Sequence, residues 1–232
     1  MPVPKRQNYP GAVYHVISRG VRRSPIFLST NDYLQFFRIL NNTMEYAPFK
    51  LHAYCLMTNH YHLLISTQMD PLNKVMHCIN GSYATWFNKK YKLSGHVFEN
   101  RYASHPVPSD YKIMTVSAYI HNNPLAANIT DDPIKYPWSS YYHYATPEII
   151  SKPVIRGGTS VQETLPKNLL FASRPNPSEW KNSSITYPPQ PPPKCFTRDK
   201  IRQLFPIPLH IHYQNYVKRE WKLSCIQDST IN

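Results

Sequence analysis

Two histidines and the strand that carries them could bind a metal ion. The segment AYCLMTNHYHLLIS places His60 and His62 two residues apart in an apolar run typical of a β-strand. Because side chains alternate along a strand, both imidazoles are predicted to lie on one face of the sheet. Two adjacent imidazoles can bind one divalent cation and leave coordination positions open. A histidine pair at a wet sheet edge without a metal is the simpler alternative, and spacing alone does not exclude it.

A tyrosine lies on the flank of a predicted helix in the segment SAYIHNNPLAA. A helix over residues 109–123, capped by Ser109-Asp110, places Tyr119 beside the inner apolar stripe and Asn123 one turn further along the same side. Pro124 disfavours helical geometry at Asn123, so the helix is predicted to kink or end there. The chain has 18 tyrosines, and most tyrosines pack or lie on the surface. The inner stripe comprises Ile113, Val116, Ser117 and Ile120.

The elements around these residues alternate in a pattern typical of an α+β domain. Helices are predicted at 31–47 and after Asp70-Pro71, where Pro71 would occupy the first helical position. The order strand, helix, strand, strand, helix, strand matches the ferredoxin-like, split βαβ antiparallel sheet. Two helices would then cover one face, with one extra helix after the fourth strand. The strands are predicted at 13–19, 51–57, 60–66 and 97–105.

The chain changes character near residue 145. We predict a catalytic domain at 1–145, a Pro-rich linker or arm at 146–193 and a basic tail at 194–232. Ten prolines between Pro147 and Pro193 favour extended, solvated backbone. A short helix is predicted in the tail, where four apolar or aromatic residues recur at helical spacing. These are Tyr213, Tyr216, Val217 and Trp221.

The charge of the chain favours a polyanionic partner. Twenty-six Lys and Arg against thirteen Asp and Glu give a net charge of +13, and cations near phosphates release condensed counterions. The 18 Tyr, 9 Phe and 4 Trp could stack on unpaired bases. A basic surface over an aromatic core is the alternative. The sequence contains no apolar run of membrane-spanning length and no signal-peptide pattern, so we expect a cytoplasmic protein.

Five sequence blocks, in order, carry a resemblance to a known family. They are YHVISRG, YCLMTNHYHLLI, GHVFENRYAS, YIHNNPLAA and YPWSSY. Over roughly residues 11–145 the chain resembles the single-tyrosine HUH transposases, and most of all the REP-associated tyrosine transposases. This resemblance implies a single-strand DNA endonuclease and strand-transferase that depends on Mg²⁺ or Mn²⁺.

The resemblance also implies roles for individual residues. His60 and His62 would bind the metal, Tyr119 would form a 5′-phosphotyrosine bond, and Asn123 would be the third ligand. His121 departs from the family pattern, in which this position is often hydrophobic, and it could compete with Asn123 as a ligand. Relatives recognise hairpin DNA with adjacent single-stranded bases, which is therefore the expected partner.

Four arginines in or beside the family-like blocks are predicted to contact phosphates on either side of the scissile bond. They are Arg19, Arg22, Arg23 and Arg101.

Three other functions fit parts of the sequence. A domesticated hairpin-DNA-binding protein would keep the fold without cutting, and an RNA-binding module would need neither a metal nor a covalent intermediate. A phosphodiesterase that activates water would not need Tyr119. The sequence does not decide between a monomer and a homodimer.

Overall fold

Segments rich in apolar residues form four strands, which pair into one antiparallel sheet. The computed structural model describes residues 10–147 and 192–229, with side chains to residue 225. The strands are β1 (Val13–Arg19), β2 (Phe49–Met57), β3 (His60–Thr67) and β4 (Ala103–Pro106). The helices are α1 (Thr30–Tyr46), α2 (Leu72–Tyr91), α3 (Asp110–Ala126), α4 (Tyr141–Ala145), a short helix (Asp199–Arg202) and a C-terminal helix (Leu209–Ser229). Two 3-10 turns lie at Val21–Arg23 and Pro133–Lys135.

The strand order is β2-β3-β1-β4, with every pair antiparallel. This order confirms the predicted α+β, ferredoxin-like architecture. On one face of β3, Tyr61 packs against Phe36 of α1, with ring centroids 4.9 Å apart, and donates a hydrogen bond to Asn80 of α2. On the other face, His62 lies beside Tyr119 of α3. Helices α1 and α2 therefore cover one face of the sheet, and α3 lies on the other.

The fourth strand is shorter than predicted. The prediction of a strand over 97–105 is wrong, because ladder pairing with β1 begins only at Ala103. The preceding segment bonds to the end of β1 and the turn after it. Val97 O accepts from Val21 N at 3.0 Å, and Glu99 N donates to Arg19 O at 2.9 Å. These bonds hold the segment against the C-terminal end of β1.

The start of α2 also differs from the prediction. Pro71 is the N-cap, with φ −70° and ψ 150°, and the first helical residue is Leu72. Asp70 makes no capping bond to the helix. Its carboxylate instead accepts from Lys74 Nζ at 2.7 Å. Helix capping and pairing with a lysine four residues later compete for the same carboxylate, and the pairing occurs here.

Pro124 lies inside α3 without ending it. Of the two predicted alternatives, a kink or an end at Asn123, the end is wrong, since α3 continues to Ala126. Proline has no N–H, so the Ile120 carbonyl loses its usual helical donor. Asn123 Nδ2 supplies a donor here, lying 2.8 Å from Tyr119 O and 3.4 Å from Ile120 O. Asn123 therefore stabilises the helix that carries Tyr119.

The C-terminal helix packs along α3, so the predicted tail helix is confirmed and is longer than expected. Tyr213 and Val217 are fully buried. Tyr213 Oη donates to Ser117 Oγ at 3.0 Å and lies 2.7 Å from His121 Nδ1. Asn122 Nδ2 donates to Val217 O at 3.1 Å. Helix α3 is thus held between the sheet and the C-terminal helix.

The outer edge of β2 is covered by two later segments. Leu51 N donates to Cys195 O and Leu51 O accepts from Thr197 N, both at 2.9 Å. Further along the strand, Leu56 N donates to Trp138 O at 2.9 Å. Backbone groups that would otherwise face solvent at this edge are therefore paired.

Removing the Tyr213 hydroxyl is expected to destabilise the fold. Tyr213→Phe leaves the buried Ser117 and His121 without a shared partner, and we expect a loss of about 1–3 kcal/mol in the free energy of unfolding. Urea denaturation measures this difference. Tyr46→Phe is the matched control, because Tyr46 is 73% exposed. An equally small change in the free energy of unfolding of both variants would show that the Tyr213 hydroxyl does not stabilise the packing of the C-terminal helix on α3.

The predicted Pro-rich arm falls almost entirely on residues 148–191, which lie outside the described residues. Among the helices in 10–147 and 192–229, none is long and apolar enough to cross a membrane.

Candidate active site

The two histidines of β3 lie on the sheet face that α3 covers. Their ring centroids are 5.0 Å apart and the rings are nearly perpendicular, at 82°. His62 is buried and His60 is half-buried. The predicted placement of both imidazoles on one face is confirmed.

A hydrogen bond from the turn before β3 fixes the tautomer of His60. Asn59 Nδ2 donates to Arg23 O at 3.1 Å, which orients the amide so that its Oδ1 lies 2.7 Å from His60 Nδ1. Since an amide oxygen only accepts, Nδ1 carries the proton and Nε2 keeps its lone pair. Such an outer partner is what orients a metal-binding histidine.

His15 of β1 is the hydrogen-bond partner of His62 Nδ1, as Asn59 is of His60 Nδ1. Ile17 pairs directly with His62 across the two strands, which places His15 diagonally beside it on the same face. His15 Nε2 lies 2.9 Å from His62 Nδ1, and the two rings stack with centroids 5.2 Å apart. Nδ1 of His62 is therefore engaged, and Nε2 remains for another partner.

The three imidazoles are held neutral by their surroundings. Burial lowers the pKa of His60 to about 4, and the charge of Arg19 acts in the same direction. Burial, followed by His105, lowers the pKa of His15 to about 4. Burial, followed by His60, lowers the pKa of His62 well below its usual value. Neutral imidazoles can donate a lone pair to a metal without first losing a proton.

Tyr119 lies directly over this cluster. Its ring is edge-on to His62, at 5.7 Å between centroids, and to His15, at 5.8 Å. The side chain is 55% exposed, so a large substrate can reach its hydroxyl. The side chain of Asn123, one turn further along α3, lies close enough to His62 to oppose part of the lowering of its pKa. The structure therefore brings together His60, His62, Tyr119 and Asn123.

His121 is not available as a competing ligand. Its Nδ1 lies 2.7 Å from Tyr213 Oη and its Nε2 lies 2.7 Å from Ser140 Oγ, so both ring nitrogens are occupied. The side chain is fully buried on the side of α3 that faces the C-terminal helix. The expectation that His121 could replace Asn123 as a ligand is therefore wrong.

The donor set suits a divalent metal. No group of three or more His, Cys, Asp or Glu side chains arranged to hold a metal occurs in the part of the chain that the structure describes. Asn123 uses its Nδ2 on helix carbonyls, which leaves Oδ1 as the atom available beside His62. Two neutral imidazoles and one amide oxygen are borderline ligands that suit Mn²⁺ at least as well as Mg²⁺.

Comparison with known proteins places this chain in a family. Residues 8–123, half of the chain, match the family model of IS200-like transposases. The chain belongs to this family. Members are DNA-binding enzymes that process DNA in transposition, and the resemblance found in the sequence blocks is confirmed.

One relative and one solved structure are similar to this chain. A Haemophilus influenzae protein assigned as a REP-associated tyrosine transposase is 28% identical over 134 residues, which cover 51% of this chain and 74% of that protein. A solved structure of a REP-associated tyrosine transposase bound to a REP hairpin matches with a TM-score of 0.54 and 17% identity. The matched region covers 62% of this chain and 85% of the chain in the solved structure. The match shows a shared fold.

The predicted phosphate-binding arginines of the transposase fall into two places. Arg19 pairs directly with His60 across β1 and β3, and Arg22 and Arg23 are exposed in the 3-10 turn that follows. Gly20 permits this turn, because a Cβ there would lie 2.2 Å from Ser24 O. All three arginines therefore lie at or just after the end of β1 that is next to His60.

Arg101 lies elsewhere. It lines an open groove of about 870 Å³ between α2 and the segment before β4. Because α2 packs on the opposite face from α3, this groove is separate from the histidine cluster.

Two residues of the candidate site, His15 and Asn59, are not identified from the sequence. Alternation along β1 places His15 on the same face as Arg19, which was the available signal. Its contact with His62 depends on the register of β1 against β3, which the sequence does not state. Asn59 lies in the two-residue connection between the strands predicted at 51–57 and 60–66, and no role is predicted for it.

Asn59→Ala is expected to weaken Mn²⁺ binding by about 10- to 100-fold without unfolding the protein, because His60 loses the acceptor that fixes its tautomer. Titration calorimetry measures the affinity. Asn59→Asp keeps an acceptor for Nδ1 and is expected to retain most of it. Equal losses in both variants would show that Asn59 does not act through His60.

Proposed function

We propose that this transposase is a metal-dependent single-strand DNA endonuclease and strand-transferase that uses Tyr119 as its nucleophile. The observation that carries the proposal is the position of Tyr119. Among the described residues it is an exposed tyrosine whose ring lies against both His15 and His62. A substrate phosphate bound at the histidine pair would lie beside the phenol oxygen.

The reaction exchanges one phosphate ester for another. Tyr119 Oη attacks the scissile phosphorus, a tyrosine O–P bond forms, and the bond to the 3′-oxygen breaks. The proton lost by the phenol is balanced by the proton gained by the 3′-oxygen, which leaves a free 3′-hydroxyl and a 5′-phosphotyrosine. Because phenolate is a better leaving group than an alkoxide, a later 3′-hydroxyl can reverse the step and join strands without ATP.

The residues that would hold a divalent metal are His60 and His62 through Nε2 and Asn123 through Oδ1. A bound Mg²⁺ or Mn²⁺ would offset the charge that develops on the phosphoryl oxygens. The outer partners Asn59 and His15 hold the imidazoles in place, and exposure of Tyr119 leaves its hydroxyl accessible to the DNA.

The proposed substrate is hairpin DNA with unpaired bases next to the cut. Support comes from the net charge of +13 and from the structural relative, which is bound to a REP hairpin. Arg19, Arg22 and Arg23 would contact phosphates beside the scissile bond, and Arg101 would contact DNA that passes along α2.

A covalent-adduct assay tests the proposal. Oligonucleotides that carry hairpins from the flanks of the gene are labelled at either end and incubated with the full chain and Mn²⁺. We expect the 3′-end label to migrate with denatured protein and the 5′-end label to appear on a shorter fragment with a free 3′-hydroxyl. Cleavage without an adduct would identify water as the nucleophile. Tight, metal-independent binding without cleavage of any flanking hairpin would identify a non-cleaving binder.

A further inference from the structure

A row of side chains extends from Tyr119 along the outer side of α3. Tyr111, Thr115 and Tyr119 are spaced by four residues, so they lie on one side of the helix, each about 6 Å from the next along its axis. Tyr111 is 66% exposed and Tyr119 is 55% exposed. Tyr111 lies at the start of α3, and its exposure shows that no described element covers most of its side chain.

The C-terminal helix continues this row. Tyr216 Oη lies 3.3 Å from Thr115 Oγ1, and Thr115 Oγ1 donates to Tyr111 O at 3.0 Å. The Arg219 guanidinium lies over the Tyr216 ring, 5.1 Å from its centroid. Tyr119, Thr115, Tyr111, Tyr216 and Arg219 therefore form one connected strip, here called the tyrosine–arginine strip.

The outer end of the strip is basic. Residues 218–223 (KREWKL) contain three cations and one carboxylate. The Arg219 side chain is 64% exposed, and its Nη2 lies 3.5 Å from Glu220 Oε1. A pair this long between partly exposed side chains does not neutralise the guanidinium strongly, so Arg219 remains able to contact a phosphate.

We infer that the tyrosine–arginine strip binds the single-stranded DNA that flanks the scissile phosphate. Exposed aromatic rings with adjacent cations bind unpaired strands, because bases stack on the rings and phosphates contact the cations. In this assignment Tyr111 and the exposed part of Tyr216 stack on bases, and Arg219 contacts the backbone. The inference rests on the proposed function, since it places the strand by its phosphate at Tyr119, and it gives the C-terminal helix a part in substrate binding.

Binding measurements on the full chain in metal-free buffer test this inference. Three fluorescent DNAs share one hairpin and carry no extension, a 5′ single-stranded extension or a 3′ single-stranded extension. The variants Tyr111→Ala and Arg219→Gln both change exposed side chains, and Tyr46→Ala and Arg38→Gln on α1 are their matched controls. Far-ultraviolet circular dichroism checks that each variant folds.

We expect one of the extensions to tighten binding to the wild type. Tyr111→Ala and Arg219→Gln should each reduce the affinity for that DNA by roughly tenfold, with little change on the hairpin without extension. A plot of the logarithm of the binding constant against the logarithm of the salt concentration should also be less steep for Arg219→Gln, by about 0.7 in slope. Wild-type binding by both variants, or equal losses with and without the extension, would overturn the inference.

The adduct assay on the same proteins separates this inference from the proposed function. An adduct at Tyr119 combined with wild-type extension binding by both variants would overturn the inference and leave the function standing. Loss of extension binding without an adduct in any protein would support the strip and overturn the proposed reaction.

Discussion

Tyr119→Phe is expected to abolish the covalent protein–DNA adduct while hairpin binding stays within about twofold of the wild type. Phenylalanine keeps the ring that lies against His15 and His62 and removes only the oxygen that attacks phosphorus. Removing a nucleophile commonly costs several orders of magnitude in rate, so we expect a loss of at least about 1,000-fold, below detection on a gel.

The control for Tyr119→Phe is Tyr46→Phe, an exposed tyrosine at the end of α1 on the opposite face of the sheet. It should form the adduct at the wild-type rate. Fluorescence anisotropy with the same oligonucleotides measures binding separately from cleavage. If Tyr119→Phe still forms an adduct, another residue is the nucleophile, and if it still cuts without an adduct, water attacks.

Removal of either histidine of the proposed metal site is expected to have the second-largest effect. His60→Ala and His62→Ala should each lower the cleavage rate at fixed Mn²⁺ by about 100-fold or more, because each removes a nitrogen ligand of the proposed metal. His62→Ala also leaves the buried His15 Nε2 without its partner, so it should lower stability as well, by about 1–3 kcal/mol.

Mn²⁺ titrations of cleavage and of calorimetric binding separate a metal defect from a folding defect. His60→Ala should require more Mn²⁺ or fail to saturate, while its urea denaturation midpoint stays near that of the wild type. For the calorimetric titration, which contains no DNA, His77→Ala is the matched control, because His77 is exposed on α2 and lines the groove on the other face of the sheet. Unchanged Mn²⁺ affinity in His60→Ala would remove His60 from the metal site.

Features set by local sequence were predicted well. The bounds of β1 and the shared face of His60 and His62 were predicted correctly, because the strand pattern and alternation depend only on neighbouring residues. The flank position of Tyr119 likewise follows from helical periodicity. The end of α3 was predicted wrongly, because a side chain, Asn123, supplies the donor that Pro124 lacks.

Features that depend on partners distant in the sequence were not predicted. The bond between His15 and His62 joins residues 47 apart, and its formation depends on strand register. The sequence makes His121 a candidate ligand, but the C-terminal helix supplies a hydroxyl for its Nδ1 from Tyr213, 92 residues away. Periodicity predicts which face a side chain occupies, but only the assembled fold shows which groups cover that face.

The covered edge of β2 has a consequence for self-association. Open strand edges offer unpaired backbone groups on which a second molecule can add a strand, and this is a route to aggregation. In this protein one edge of the sheet is paired with Cys195, Thr197 and Trp138. The other edge is β4, which is only four residues long and ends at Pro106. Both edges are therefore poor templates for intermolecular β-pairing, which should help a basic, tyrosine-rich protein stay monodisperse when it is concentrated without DNA.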